Sequence, residues 1–263
     1  MKKKLVALIA GAALTVALAG NAFATFGELT LIRVLDQKSG GTTEVLSNLG
    51  TLGTTVDLSA QNVILSSSNV LNDFNGAALS SLTVSYTSYQ INPDSGYTFD
   101  IWVGGSNTTA PKTAGGMDAQ YQSNMDQVIQ YANRLGGTTA NEVIGDTSNR
   151  ASYFKKMNPT GQYGSNGAFT SLDSNSNASL ANLATTGYVD QTIYYFSGQV
   201  NPDTYQTDPS TGIKVATIRT SYDAATGMLT STLNPNATPT PIPAAFLLMG
   251  SGLLGLVGIR RKI

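Results

Sequence analysis

The chain has 263 residues, with 15 basic and 16 acidic side chains, no Cys and no His. Without thiol or imidazole it holds no Ser-His-Asp triad, no Cys nucleophile, no Cys/His zinc site and no disulfide framework. Lys2, Lys3 and Lys4 open it and Arg260, Arg261 and Lys262 nearly close it, so the stretch between carries nine basic and 16 acidic residues. A body with seven excess negative charges repels phosphate backbones, which excludes nucleic acid as a partner.

Residues 1–24 combine three Lys, an uncharged apolar run from Leu5 to Ala19 and a small-residue exit at Ala22-Phe23-Ala24. This is the layout of a secretory signal peptide, with cleavage expected between Ala24 and Thr25 by signal peptidase after Sec-type export. Residues 25–233 are then the extracytoplasmic body. Its commonest pattern is short alternation between turn residues. Glu28 to Asp36 reads as a strand ending at the turn Ser39-Gly40-Gly41, and Leu79 to Ile91 as another. In the next, Tyr97, Phe99, Ile101 and Val103 alternate with Thr98, Asp100 and Trp102, which puts the first set on a core face and Trp102 on the opposite one.

The period changes between Met117 and Leu135. Tyr121, Met125, Val128, Ile129 and Ala132 fall near helical spacing, with a stop at Gly136-Gly137. A second short helix is expected within Thr147 to Met157, so a helical insertion lies near 112–160. Alternation resumes at Tyr188 to Val200, Ile213 to Tyr222 and Met228 to Leu233. The expected fold is mainly β, a jelly-roll-like β-sandwich carrying that insertion. Asn-Pro-Asp recurs at 92–94 and 201–203 after two of these strands, a turn-forming triplet in both places.

From Asn234 to Pro243 the prolines at 235, 239, 241 and 243 favour an extended spacer with an accessible backbone. Ala244 to Ile259 is a 16-residue apolar run followed by Arg260, Arg261 and Lys262. As a helix it is about 24 Å long, slightly short of a hydrocarbon core of roughly 30 Å, and it reads as a stop-transfer segment anchored in the inner membrane. The cationic cluster then stays cytoplasmic and the acidic body outside. Gly250, Gly252, Gly255 and Gly258 form a small-residue face on that helix.

Pro241-Ile242-Pro243 with Ala244-Ala245, the Leu- and Gly-rich apolar run and the terminal Arg260-Arg261-Lys262 resemble, in that order, the PEP-CTERM sorting signal of Gram-negative bacteria. Ile242 stands where the type sequence has Glu, and the two alanines point to the variant subgroup with a Pro-x-Pro-Ala-Ala start. The resemblance implies recognition by an exosortase, release or reattachment at the cell surface, and association with exopolysaccharide and biofilm matrix. On this reading the chain is a non-enzymatic surface or extracellular-matrix protein.

Other chemistry in the body rests on few residues. Glycoside hydrolysis needs two carboxylates roughly 5 to 9.5 Å apart, and a secreted carbohydrate-active enzyme using such a pair is the alternative reading. The three Glu are Glu28, Glu44 and Glu142; two of them fall near the first strand and turn, in positions expected at the surface as solvated acids. No cofactor is expected, although Asn92 to Ser95 and Asp203 to Asp208 are loops whose oxygens suit calcium. Trp102 is a sugar-stacking candidate, set against a role for it in the core. Ser152 and Lys155 have Ser-x-x-Lys spacing but lack the accompanying motifs of the penicillin-binding class.

Overall fold

A computed structural model describes residues 26–37, 41–91, 99–105, 118–136, 141–157, 178–197 and 212–236. The expected signal peptide and its cleavage residues Ala22, Ala24 and Thr25, both Asn-Pro-Asp triplets, and the sorting segment from Pro241 to Lys262 lie outside these. Among the described residues no helix is long and apolar enough to cross a membrane.

The body is mainly β. Its strands are β1 (Thr30–Gln37), β2 (Thr43–Thr51), β3 (Val63–Ser68), β4 (Leu82–Ile91), β5 (Phe99–Gly105), β6 (Glu142–Asp146), β7 (Ala178–Ser179), β8 (Tyr188–Phe196), β9 (Ile213–Asp223) and β10 (Met228–Leu233). Among the described residues three α-helices join them: α1 (Asp118–Gly136), α2 (Tyr153–Met157) and α3 (Leu183–Thr186). The strands form one sheet in the order β3-β10-β9-β8-β5-β4-β1-β2-β6, with the short β7 beside β4. Neighbouring strands run antiparallel throughout.

Alternation along the strands predicts two stacked sheets. Here the two facing layers belong to one sheet that curls over on itself. Tyr86 of β4 reaches across the interior to Thr220 of β9 and Ser231 of β10, at 2.6 and 2.9 Å. Inside the curl lie Leu31 and Leu35 of β1, Val45 and Leu49 of β2, Val84 of β4, Ile193 of β8, Ile218 of β9 and Leu229 of β10. Phe74 and Leu183, from the short helical turns, pack onto this same cluster.

The outer face of β1, β2, β4 and β5 is also covered, which is why β1 is buried along nearly its whole length. Ile32, Val34, Leu46, Ile101 and Val103 meet Tyr121, Met125, Val128, Ile129 and Ala132 of α1. Those helix positions recur at the spacing of one apolar stripe, as the sequence predicts. Each fully buried apolar side chain of this size contributes about 1.5–3 kcal/mol. The insertion is therefore a packing layer, and it also supplies β6, an edge strand beside β2. Asn133 of α1 fixes the start of the body by bonding both the N–H and the C=O of Phe26, each at 2.9 Å.

Candidate functional site: buried charges on two faces of one strand pair

Strands β1 and β2 carry ionisable groups on both faces. On the inner face, Arg33 is fully buried. Its guanidinium donates to Glu142 Oε1 at 2.7 Å, Ser47 Oγ at 2.9 Å, Ser231 Oγ at 3.1 Å and Ser68 Oγ at 3.4 Å. Ser47 and Ser68 in turn donate to the same Glu142 oxygen, at 2.9 and 2.8 Å. Ser231 is shared with Tyr86, so one network runs from Glu142 on the edge strand β6 through Arg33 to Thr220 on β9. Glu142 is one-third exposed and is the network's contact with solvent. Burial pushes the Tyr86 phenol up, against the opposing pull of Arg33, so it stays a neutral hydroxyl.

On the outer face, Asp36 and Glu44 stand opposite each other across β1 and β2, and neither is exposed. Glu44 Oε1 accepts the N–H of Tyr153 and Oε2 the N–H of Phe154, both at 3.0 Å, so its carboxylate holds the start of α2. Asp36 Oδ1 accepts from Thr83 Oγ1 at 2.8 Å. Desolvation pushes Glu44 up to about 7; the two backbone bonds oppose this, and Asp36 and Asp146 add to it. Gly145 of β6 allows the close approach, since a Cβ there lies 3.0 Å from Glu44 Cγ and 3.1 Å from the Tyr131 ring. The expectation of a surface position is thus corrected for Glu44, which is buried, while Glu142 is partly exposed and ion-paired. Glu28 is the exception in kind, a loop carboxylate accepting the N–H of Ile91 at 3.1 Å.

Trp102 does not stand on an open face. Its side of β5 looks into the curl, where it is partly buried against the inner cluster. Its ring lies 5.2 Å from that of Tyr195, its cross-strand neighbour, at an interplanar angle of 41°. Burial also pushes the Tyr195 phenol up, with Asp100 adding to the effect and a bond to Ser197 opposing it. Trp102, Tyr195 and Asp100 thus gather at one end of β5 and β8.

Ser152 is a capping residue. Its Oγ accepts the Lys155 N–H at 3.1 Å and donates to Thr147 O at 3.2 Å, while Lys155 Nζ lies 5.9 Å from the centre of the Phe154 ring. That geometry gives the Ser-x-x-Lys spacing a structural role at the start of α2. Among the described residues no group of three or more acids converges as a metal site. The calcium-type loops at 92–95 and 203–208 and the sorting residues Pro241, Ile242, Pro243, Ala244, Ala245, Arg260, Arg261 and Lys262 lie outside the described residues.

Sequence reasoning missed the Arg33 network because its members sit on seven different strands, and no spacing along the chain links them. The one local signal is a charged residue in phase with Leu31 and Leu35 on an otherwise apolar strand face. No known protein family matches the chain, and neither does any curated protein or solved structure.

Proposed function

We propose that the chain is an exported, non-enzymatic protein of the cell surface or extracellular matrix, carried out by a cleaved N-terminal signal and sorted by its C-terminal segment. The observation that carries this reading is the order of Pro241-Ile242-Pro243, the apolar run 244–259 and Arg260-Arg261-Lys262. In this reading the body is a sandwich-like, jelly-roll-like cargo, held at the inner membrane by its last residues until an exosortase acts. Exopolysaccharide is the matrix component that it meets afterwards. Two features of the body support it. The chain reaches Asn236, near the start of the proline-rich spacer, exposed at the surface. The acids inside the body serve as structural acceptors, Glu142 for Arg33, Glu44 for the α2 backbone and Asp36 for Thr83.

The carbohydrate-active alternative draws on Asp36 and Glu44, two adjacent buried acids of which one is held near neutrality. A glycosidase pair must flank a sugar, whereas both of these lie under the packing layer of the insertion. Replacing Pro241 and Pro243 by Ala and fractionating the producing cells tests the sorting reading. Accumulation of an unprocessed, inner-membrane form supports it. Unchanged release to the surface contradicts it.

A further inference from the structure

The point where the chain leaves the body is built as a receiving slot. β10 pairs with β9 as far as Leu233 and Ile218, and there Asn234 takes a left-handed conformation with φ 41°. Its N–H donates to Thr217 O at 2.7 Å, and its Oδ1 accepts the Thr217 N–H at 2.8 Å. Its amide nitrogen donates to the carbonyls of Leu58 and Ala60, at 2.7 and 2.9 Å. Asn234 thus ends the strand and ties the 58–61 loop to this end of it.

Beyond it, β9 continues from Ala216 back to Ile213. Here β8 lies on one side, and among the described residues no strand lies on the other. The space between is a groove of about 480 Å³ lined by Leu58, Ser59, Gln61, the 214–217 stretch of β9 and Asn234. Five large apolar side chains are exposed among the described residues, and three of them, Val63, Ile64 and Ile213, are on strands flanking this exit. An open strand edge with apolar surface beside it is a template for an added strand.

We propose that this groove is occupied in cis by the chain's own proline-rich segment, residues 237–243, added along the free end of β9. Two arguments select this occupant. The segment begins three residues after Asn234, which lines the groove, and so short a tether gives a local concentration in the millimolar range, above that of any separate partner. Its sequence also fits one edge only. Pro239, Pro241 and Pro243 alternate with Thr238, Thr240 and Ile242, so in an extended chain the three N–H groups face one side and the prolines the other. Such a segment pairs inward on β9 and presents, from Pro239 to Pro243, an outer side without donors, which stops further strand addition along that stretch. The docking covers Pro241-Ile242-Pro243, and it stands whether or not that motif is later cut.

The absence of Cys makes the test clean. In the full chain, held in detergent micelles, Lys214→Cys with Thr240→Cys places one thiol in the groove and one in the segment. Thr226→Cys with Thr240→Cys is the control, because Thr226 is exposed at the far end of β9 and is nearer to residue 240 in sequence. With oxidised glutathione as the two-electron oxidant, docking predicts an intramolecular disulfide that forms at least about tenfold faster for the groove pair, as an ordered pair exceeds a merely tethered one. Adding Thr238→Pro and Ile242→Pro removes two of the three inward donors outside the folded body, and it is expected to return the rate to that of the control. Equal rates for the groove and control pairs, a disulfide only between molecules, or a rate indifferent to the added prolines overturns the proposal.

Discussion

The two faces of the β1–β2 pair bury charge in opposite ways. Inside the curl, Arg33 is answered by Glu142 and by serine hydroxyls from three strands, so a cation with no exposure keeps a counter-charge. Outside, the charged groups among the described residues that act on Glu44 are acids, Asp36 across the strand and Asp146 from β6. Its acceptors are met by two backbone N–H groups, but its charge is not. The first arrangement is expensive to interrupt. The second is relieved by a proton.

The largest effect should come from breaking the inner pair. Glu142→Ala leaves Arg33 buried without its partner and is expected to cost about 3–5 kcal/mol in urea unfolding. A loss under 1 kcal/mol would mean that the serines alone satisfy the guanidinium.

The outer face should respond to pH. The Glu44 carboxyl titrates near 4.5 when unfolded and near 7 when folded, so the folded chain holds an extra proton between these values. Its stabilising contribution is therefore complete below pH 4.5 and is lost as pH rises through 7, by about 3 kcal/mol. Turn bonds involving Ser59, Ser148 and Thr226 hold Asp57, Asp146 and Asp223 below the usual carboxylate range. Their contribution has the opposite sign and fades only as pH falls below about 4, outside that window. Glu44→Gln should flatten the decline between pH 4.5 and 7. It should also cost about 1 kcal/mol at low pH, because the amide accepts only one of the two backbone N–H groups.

Two smaller effects sharpen the contrast. Tyr86→Phe removes the link from Arg33's serine to β9 and is expected to cost about 1–2 kcal/mol by thermal or urea unfolding. Asp190→Asn breaks the bidentate bond to Arg219, at 2.7 Å for each contact, on the outer surface of β8 and β9. Both partners are partly exposed there, and Arg219 also stacks 3.8 Å from the Tyr188 ring, so the loss should be below about 1 kcal/mol and should shrink with salt.

Much of the fold was readable where one physical signal dominated. Met228 to Leu233 is a strand with the expected bounds, because alternate residues Leu229, Ser231 and Leu233 face the interior. The α1 stripe was legible for the same reason at helical period. β2 escaped notice because Val45 and Leu46 are both buried, one on each face, so a strand covered on both sides shows no alternation. β6 was hidden inside a stretch whose neighbours read as helical, and its role follows from pairing with β2 rather than from its own five residues. Glu44 was misplaced at the surface because composition treats a carboxylate as solvated, while its partners Tyr153 and Phe154 lie about 100 positions distant. Trp102 was assigned the correct face, opposite Ile101 and Val103, but the curl of the sheet covers that face as well.

The reading of the chain as delivered cargo is tested most directly by the intact mass of the protein recovered from the surface of the cells that make it. The account predicts a mass lacking residues 1–24 and the apolar tail beyond the Pro241-Ile242-Pro243 region. A mature protein retaining its last 20 residues, through Arg260, Arg261 and Lys262, would contradict it.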